Sequence, residues 1–419
     1  MPFSSLGLVP SLIRAVSEKG YLAPTAIQVA AIPAILRGND VLGSAQTGSG
    51  KTAAFSLPIL QLLQDGHSEK PRRVRALILV PTRELAVQVG ETIHSLAQYI
   101  PGPLKIATLF GGVSINPQMM DLRGGADIVV ATPGRLLDLL DHNALNISTV
   151  SILTLDEADR LLDLGFEDEI RRILALLPTS RQNLFFSATF PPAVQSLAEK
   201  MLHNPTRIAV QAAPIEQQPA ILQRAIAVDP KRRTQLLVHL IKENGWNRVL
   251  AFVATKYAAE HVAEKLHRAG IKAAAFHGEF SQGARSRVLA EFKASELQVL
   301  VATDVAARGI DIAQLPVVLN YDLPRSAVDY THRIGRTGRA GETGIAISFV
   351  SADTEAHFRL IEKRHQLQCP REQIAGFEPV ETMTLGTGTA TDAANGGIKG
   401  KRKSKKDKLR EAAAREQTD

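Results

Sequence analysis

Short apolar runs alternate along this chain with longer stretches whose apolar positions recur at helical spacing. The runs Val41–Ser44, Ala76–Val80, Ile106–Leu109, Ile128–Ala131, Ser151–Leu155 and Asn183–Ser187 read as strands. Lys51–Leu63, Glu84–Tyr99 and Phe166–Leu177 between them carry helical patterning. Strand followed by helix at this rhythm predicts a parallel sheet covered on both faces. The rhythm breaks at residues 210–220, a polar stretch with Pro214 and Pro219 that reads as a linker. It resumes with strands at Val249–Val253, Ala273–Phe276, Val299–Ala302, Val317–Asn320 and Ala346–Phe349, and helices at Lys256–Arg268, Gln282–Lys293 and Val328–Ile334. The expectation is therefore an α/β chain with one domain over 1–209, the linker over 210–220 and a second domain over 221–370. Beyond 370 the periodicity is lost, and 371–419 is expected to be mostly disordered, above all over 386–408.

Composition changes this picture in two places. A chain of 419 residues exceeds one ordinary core, which agrees with two domains. The formal charge of +7 is not spread over it: residues 399–410 hold eight bases and one acid, which is the whole excess. The body is thus near neutral, and the tail is a separate polycation suited to sequence-independent contact with nucleic acid. No apolar run reaches the length of a membrane span. The N-terminus lacks the basic-then-apolar layout of a secretory leader, and the single cysteine, Cys369, suits a reducing, cytoplasmic compartment.

The chemistry is concentrated in two segments. Ala45-Gln46-Thr47-Gly48-Ser49-Gly50-Lys51-Thr52 lies between a strand and a helix. In that setting the loop N–H groups and the helix N-terminus face phosphate, Lys51 reaches the β and γ phosphates, and Thr52 ligates Mg2+. Ala45 stands where the strict pattern has glycine, as helicase-type loops allow. The second segment, Asp156-Glu157-Ala158-Asp159, ends an apolar strand. A carboxylate there is costly unless it serves a cation, so Asp156 is expected to hold Mg2+ and Glu157 to orient and deprotonate the attacking water. Together the two imply nucleoside-triphosphate hydrolysis with Mg2+ as a cofactor.

These segments resemble the DEAD-box ATP-dependent RNA helicases, and the resemblance extends over about residues 3–350. It implies two tandem RecA-like parallel-sheet domains joined by a short linker. Gly20 to Gln28 is similar to the family's Q motif, with Tyr21 and Ala26 where phenylalanine and proline are usual. The resemblance implies that Phe3 stacks on adenine, that Tyr21 and Thr25 belong to the nucleotide site, and that Gln28 pairs with adenine N6 and N7. Pro81-Thr82-Arg83, Gly111-Gly112 and Thr132-Pro133-Gly134-Arg135 look like motifs that contact the RNA backbone. Taken singly, each is equally a helix cap. In the second domain Gly278, Gln282, Arg285 and Thr303 look like RNA contacts, and Asp311 is similar to the residue that holds the ATP ribose. His332-Arg333-Ile334-Gly335-Arg336-Thr337-Gly338-Arg339 matches the arginine-finger motif, with Arg336 and Arg339 in that role. Asp159, Ser187, Thr189 and His332 are implied to couple hydrolysis to strand separation.

The whole looks most like the bacterial RhlE-type subgroup, although Glu279-Phe280 stands where that subgroup implies a lysine-bearing loop. The resemblance implies RNA-stimulated ATP hydrolysis coupled to closure of the two domains and local unwinding of RNA or remodelling of its complexes with protein. RNA is the expected partner, with ribosomal-assembly and RNA-decay proteins as candidates, and no membrane. Three other readings stay open from the residues alone: a DNA helicase of the same superfamily, an RNA clamp without turnover, and a nucleotide switch acting on a protein.

Overall fold

The computed structural model describes residues 2–45, 48–64, 71–210, 221–307, 315–338 and 343–380. Linker residues 211–220 and the basic segment 399–410 lie outside the described residues, and so do Gln46, Thr47, Asp311 and Arg339.

Seven strands form a first sheet: β1 Val41–Ser44, β2 Ala76–Leu79, β3 Ile106–Leu109, β4 Ile128–Ala131, β5 Ile152–Leu155, β6 Gln182–Ser187 and β7 Thr206–Ala209. Seven more form a second: β8 Ile221–Ala227, β9 Val249–Val253, β10 Ala273–Phe276, β11 Val299–Thr303, β12 Val317–Asn320, β13 Gly344–Val350 and β14 Arg371–Glu372. The orders are β3-β4-β2-β5-β6-β1-β7 and β10-β11-β9-β12-β13-β8-β14. Each strand of the second sheet occupies the place of its counterpart seven earlier, so one topology is used twice. Every described strand pairing is parallel. These are the tandem RecA-like lobes that the strand–helix rhythm and the resemblance imply.

The reason is legible in the central strands. Ala-Leu-Ile-Leu, Ile-Val-Val-Ala and Ile-Leu-Thr-Leu in β2, β4 and β5 are buried at every position. A strand buried on both faces reads as a continuous apolar run. Successive residues enter opposite cores: Ile78, Val130 and Phe186 pack on one face, while Leu77, Leu79, Val129, Leu155 and Phe185 pack on the other. The second lobe repeats this, with Ala251 and Val301 in one core and Leu250, Phe252, Leu300 and Ala302 in the other. No helix of the described residues is long and apolar enough to cross a membrane.

Three strands are absent from the sequence reading. β7 buries only Ile208 and carries Arg207 at a sheet edge. β8 carries Leu222, 58% exposed, at its second position just after the linker. β14 is two residues long, and its Glu372 grips Arg224 of β8 through both carboxylate oxygens. The described fold runs past residue 370: Ile374 and Phe377 pack on the second core, the Arg232 guanidinium lies over the Phe377 ring, and Val380 N–H donates to Asp229.

Candidate active site

The phosphate loop sits at the C-terminal end of β1. Gly48 and Gly50 take φ of 81° and 91°, a left-handed backbone open to glycine at little cost. A Cβ on Gly50 would come within 2.5 Å of Gln28 Nε2 and 2.9 Å of Thr25 Oγ1. The missing side chain therefore lets the Thr25–Gln28 segment close over the loop. Gln28 is buried and bonded at both ends of its amide. Its Nε2 donates to Gly50 O at 3.1 Å, and its Oε1 accepts from Thr25 N–H at 2.9 Å. Thr25 and Gln28 form the capping box of the helix Ala26–Leu36. In this structure Gln28 is thus committed to the loop backbone, with one donor hydrogen and one lone pair left for a base. Lys51 is buried and donates to Ala45 O at 2.7 Å. Ser49 Oγ is buried without a hydrogen-bond partner.

At the end of β5, Asp156 is 2% exposed and its pKa is pushed from 3.8 up to about 6. Burial is the main cause, Glu157 and Asp159 add to it, and Lys51 and the Glu157 N–H oppose it. Glu157 follows at φ 51°, ψ 52°, a left-handed conformation costly for any residue with a Cβ. The turn lays the Glu157 N–H on Asp156 Oδ1 at 2.9 Å and leaves Glu157 Oε2 buried without a hydrogen-bond partner. Asp159 Oδ2 accepts from Thr189 N–H at 2.9 Å and Thr189 Oγ1 at 2.8 Å, while Ser187 Oγ accepts from Asp159 N–H at 3.2 Å and donates to Thr189 O at 2.7 Å. Asp159, Ser187 and Thr189 are therefore one hydrogen-bonded knot.

The second lobe enters here. Tyr21, Thr25, Gln28, Gly48, Gly50, Lys51, Thr52, Asp156, Glu157 and Arg336 all line one cavity of about 460 Å³. Burial, then Arg160, pulls the His332 pKa down to about 4, against Asp159 and Glu157, so this imidazole is neutral at pH 7. Arg333 has a different task. Its guanidinium holds Asp304 at 2.6 and 2.7 Å, donates to Asn320 and to Asp322 O, and lies over the Phe252 ring. A larger cavity of about 530 Å³ opens beside β7 and the helix Pro192–Met201, but it is lined by none of the predicted site residues.

Two of the expected site residues are buried among protein partners in this structure. Phe3 is 6% exposed, packed in the first lobe's core and absent from the cavity wall; Tyr21 is the aromatic that reaches it. Arg285, expected on RNA, is 3% exposed. Its Nη2 lies 3.0 Å from Glu84 Oε1 of the first lobe, and the guanidinium stacks over Phe276. Both side chains of this pair are buried, at 4% and 8% exposure.

The other RNA candidates gather by lobe. Pro81 ends the loop before the helix Arg83–Leu96, which Thr82 Oγ1 caps by accepting from Leu85 N–H at 3.3 Å. Arg83 lies against Gly112, whose added Cβ would come 2.5 Å from Nη1. Thr132 is the N-cap residue of the helix Pro133–Asp141. Arg135 is buried, donates to Val113 O at 2.6 Å, and keeps Nε and Nη1 without hydrogen-bond partners. Gly278 is exposed, Gln282 Oε1 is buried without a partner, and Thr303 ends β11 half-buried. The sequence reading missed Gln88 and Thr92, which share the cavity wall with Leu85. Their spacing of three and four along one helix face was the available signal. It also missed Glu84 as the partner of Arg285.

Among the described residues no group of three or more His, Cys, Asp or Glu could hold a metal ion. This suits Mg2+, which uses one or two protein oxygens together with substrate phosphates and water. Asp156 and Thr52, which share the cavity wall, would offer such oxygens.

Comparison with known proteins agrees with this geometry. Residues 25–197 match the DEAD/DEAH box helicase family and residues 232–341 the helicase conserved C-terminal domain. The chain is 41% identical to the ATP-dependent RNA helicase DeaD of Mycobacterium tuberculosis H37Rv, over 91% of this chain and 67% of that protein. It is 40% identical to the ATP-dependent rRNA helicase rrp3 of Sclerotinia sclerotiorum, over 90% and 78%. It spans 59% of the length of Escherichia coli K12 DeaD, at 41% identity. Among solved structures, S. cerevisiae Dbp5 bound to RNA and ADP BeF3 superposes with a TM-score of 0.79 at 30% identity, over 89% of this chain and 95% of that one.

Proposed function

The chain belongs to the DEAD/DEAH box helicase family and is an ATP-dependent RNA helicase, and from that premise we propose that the cavity shared by its two lobes is where ATP is hydrolysed. The observation that carries this is the entry of Arg336 into a cavity walled by Lys51, Asp156 and Glu157. Lys51 and the loop amides hold the phosphates. Thr52 and Asp156 hold Mg2+, which supplies charge neutralisation at the transferring phosphate when bound. Glu157 takes the proton of the attacking water through Oε2, which accepts no hydrogen bond and lies 3.8 Å from Arg160 Nε, and Arg336 stabilises the transition state. Neither lobe carries the whole set, so turnover requires their closure. The Arg285–Glu84 pair and the charge interaction of His332 with Asp159 and Glu157 support a link between closure and chemistry. Tyr21, in place of Phe3, is the aromatic for the base.

RNA runs over Pro81–Arg83, Gly112, Thr132 and Arg135 in the first lobe and Gly278, Gln282 and Thr303 in the second, with contacts to the backbone. ATP and RNA each favour the closed state and so reinforce one another. The rrp3 relative is described as an rRNA helicase, which supports ribosomal precursors and their assembly proteins as candidate partners. RNA-decay proteins remain a further candidate. Assignment to the RhlE-type subgroup rests on sequence resemblance alone. Phosphate release with and without RNA tests the whole reading. Glu157→Gln should abolish RNA-stimulated release while ATP still binds. Arg336→Ala should lower the rate by on the order of three decades, with a smaller loss of ATP affinity. Wild-type release that ignores RNA would overturn the proposal.

A further inference from the structure

One corner of the second lobe combines exposure, aromatic rings and balanced charge. Tyr257 is 72% exposed and is the one aromatic among the exposed large hydrophobic side chains of the described residues. It stands in the first turn of the helix Lys256–Arg268 and stacks on His261 one turn later, with ring centroids 5.8 Å apart at 11°. That turn is tied to the loop 277–280 at two points. Lys256 pairs with Glu279, and His277 Nε2 lies 3.1 Å from Glu260 Oε1. In the loop the Phe280 ring rests on His277 at 4.2 Å. Gly278 between them is exposed, and an added Cβ would meet nothing within 4 Å.

A surface built for phosphate offers unpaired cations. Here Lys256 is neutralised by Glu279, and Phe280 fills a place where the subgroup resemblance implies lysine. What remains accessible is a flat ring with a second ring stacked parallel on one side of it. A nucleobase stacks on such a ring without sequence preference. We propose that Tyr257, backed by His261, is a stacking platform for one unpaired base of the RNA strand that crosses Gly278 and Gln282. The proposal rests on the RNA path given above and adds to it a base contact beyond the backbone groove.

The test uses the full chain and single-stranded RNA carrying 2-aminopurine at successive positions. Wild-type protein should quench the fluorophore at one position. Tyr257→Ala should remove that quenching and weaken RNA binding by roughly fivefold or more, since base–aromatic stacking is worth at least about a factor of that size. The loss should be the same at low and high salt, because no counterion is released at a ring. Tyr257→Phe should retain both signals. RNA with an abasic unit at the quenched position should bind wild type and Tyr257→Ala equally. Quenching that survives in Tyr257→Ala, or affinity unchanged by it, overturns the proposal; the second outcome assigns the ring to a protein partner. RNA-stimulated phosphate release by wild-type protein is measured alongside, so loss of the broader reading is distinguished from loss of the platform.

Discussion

Asp156 shows how a functional residue opposes the fold that holds it. A carboxyl with an unfolded pKa near 3.8 is pushed to about 6 when buried at the end of β5. Its folded pKa is raised, so the protonated form favours folding. Stability from this group is fully present below about pH 3.8 and is lost as pH rises through about 6. At neutral pH the nucleotide-free protein therefore carries a charge the fold disfavours, by on the order of 2–3 kcal/mol. Asp156→Asn keeps an acceptor for the Glu157 N–H and removes the charge. We predict a higher melting temperature than wild type at pH 8, a difference that shrinks between about pH 6 and 4, and no RNA-stimulated turnover. A melting difference independent of pH would mean that burial of the charge is not its source. The sequence made this residue conspicuous because an acid ended an apolar strand. It did not disclose the left-handed Glu157 beside it, since nothing in a residue's identity announces a strained backbone.

At the scale of elements, legibility followed burial. The strands β1, β3, β4, β9, β10 and β12 have the bounds read from the sequence, and of these β4, β9 and β12 are buried at every position, so a continuous apolar run marks them. β7 and β14, at sheet edges, and β8, beside β14, were illegible because they bury few apolar side chains and carry polar residues such as Arg207, Glu372 and Arg224. The same contrast separates the phosphate loop, readable from its glycines, from the support beneath it. Gly38 and Gly50 both have positive φ, at 82° and 91°. A Cβ on Gly38 meets nothing within 4 Å, whereas on Gly50 it strikes the Gln28 amide and the Thr25 hydroxyl. Gly38→Ala should cost about 1 kcal/mol of stability from backbone strain alone and leave ATP affinity as it is. Gly50→Ala should show a similar strain and in addition weaken ATP binding at least tenfold, by parting the Thr25–Gln28 segment from the loop. Fluorescent-nucleotide titration together with denaturant melts checks both. Equal ATP affinities for the two variants would remove Gln28 as the support of the loop.

At the scale of the molecule, the ion pair of Arg285 and Glu84 is one place where the described residues of the two lobes meet by charge. The sequence could name both residues but not their pairing, because they lie two hundred positions apart in different lobes, and each had a ready reading within its own motif. Burial lowers the Arg285 pKa while Glu84 opposes the shift, so the pair is desolvated when the lobes are together. Breaking one partner of a buried pair typically costs about 3–5 kcal/mol, because a lone charge is left out of water. Here the molecule has an escape: separation of the lobes returns the orphaned charge to solvent. Glu84→Ala should therefore shift the protein toward open lobes, seen as a drop in ATP- and RNA-dependent energy transfer between dyes on the two lobes and a rise in the RNA concentration for half-maximal turnover. Arg285→Ala should do the same. The double variant has no charge to desolvate, so its defect should fall well short of the sum of the single defects. If the losses instead add, Arg285 acts on RNA independently of Glu84, and the groove contact expected from the sequence would replace the latch.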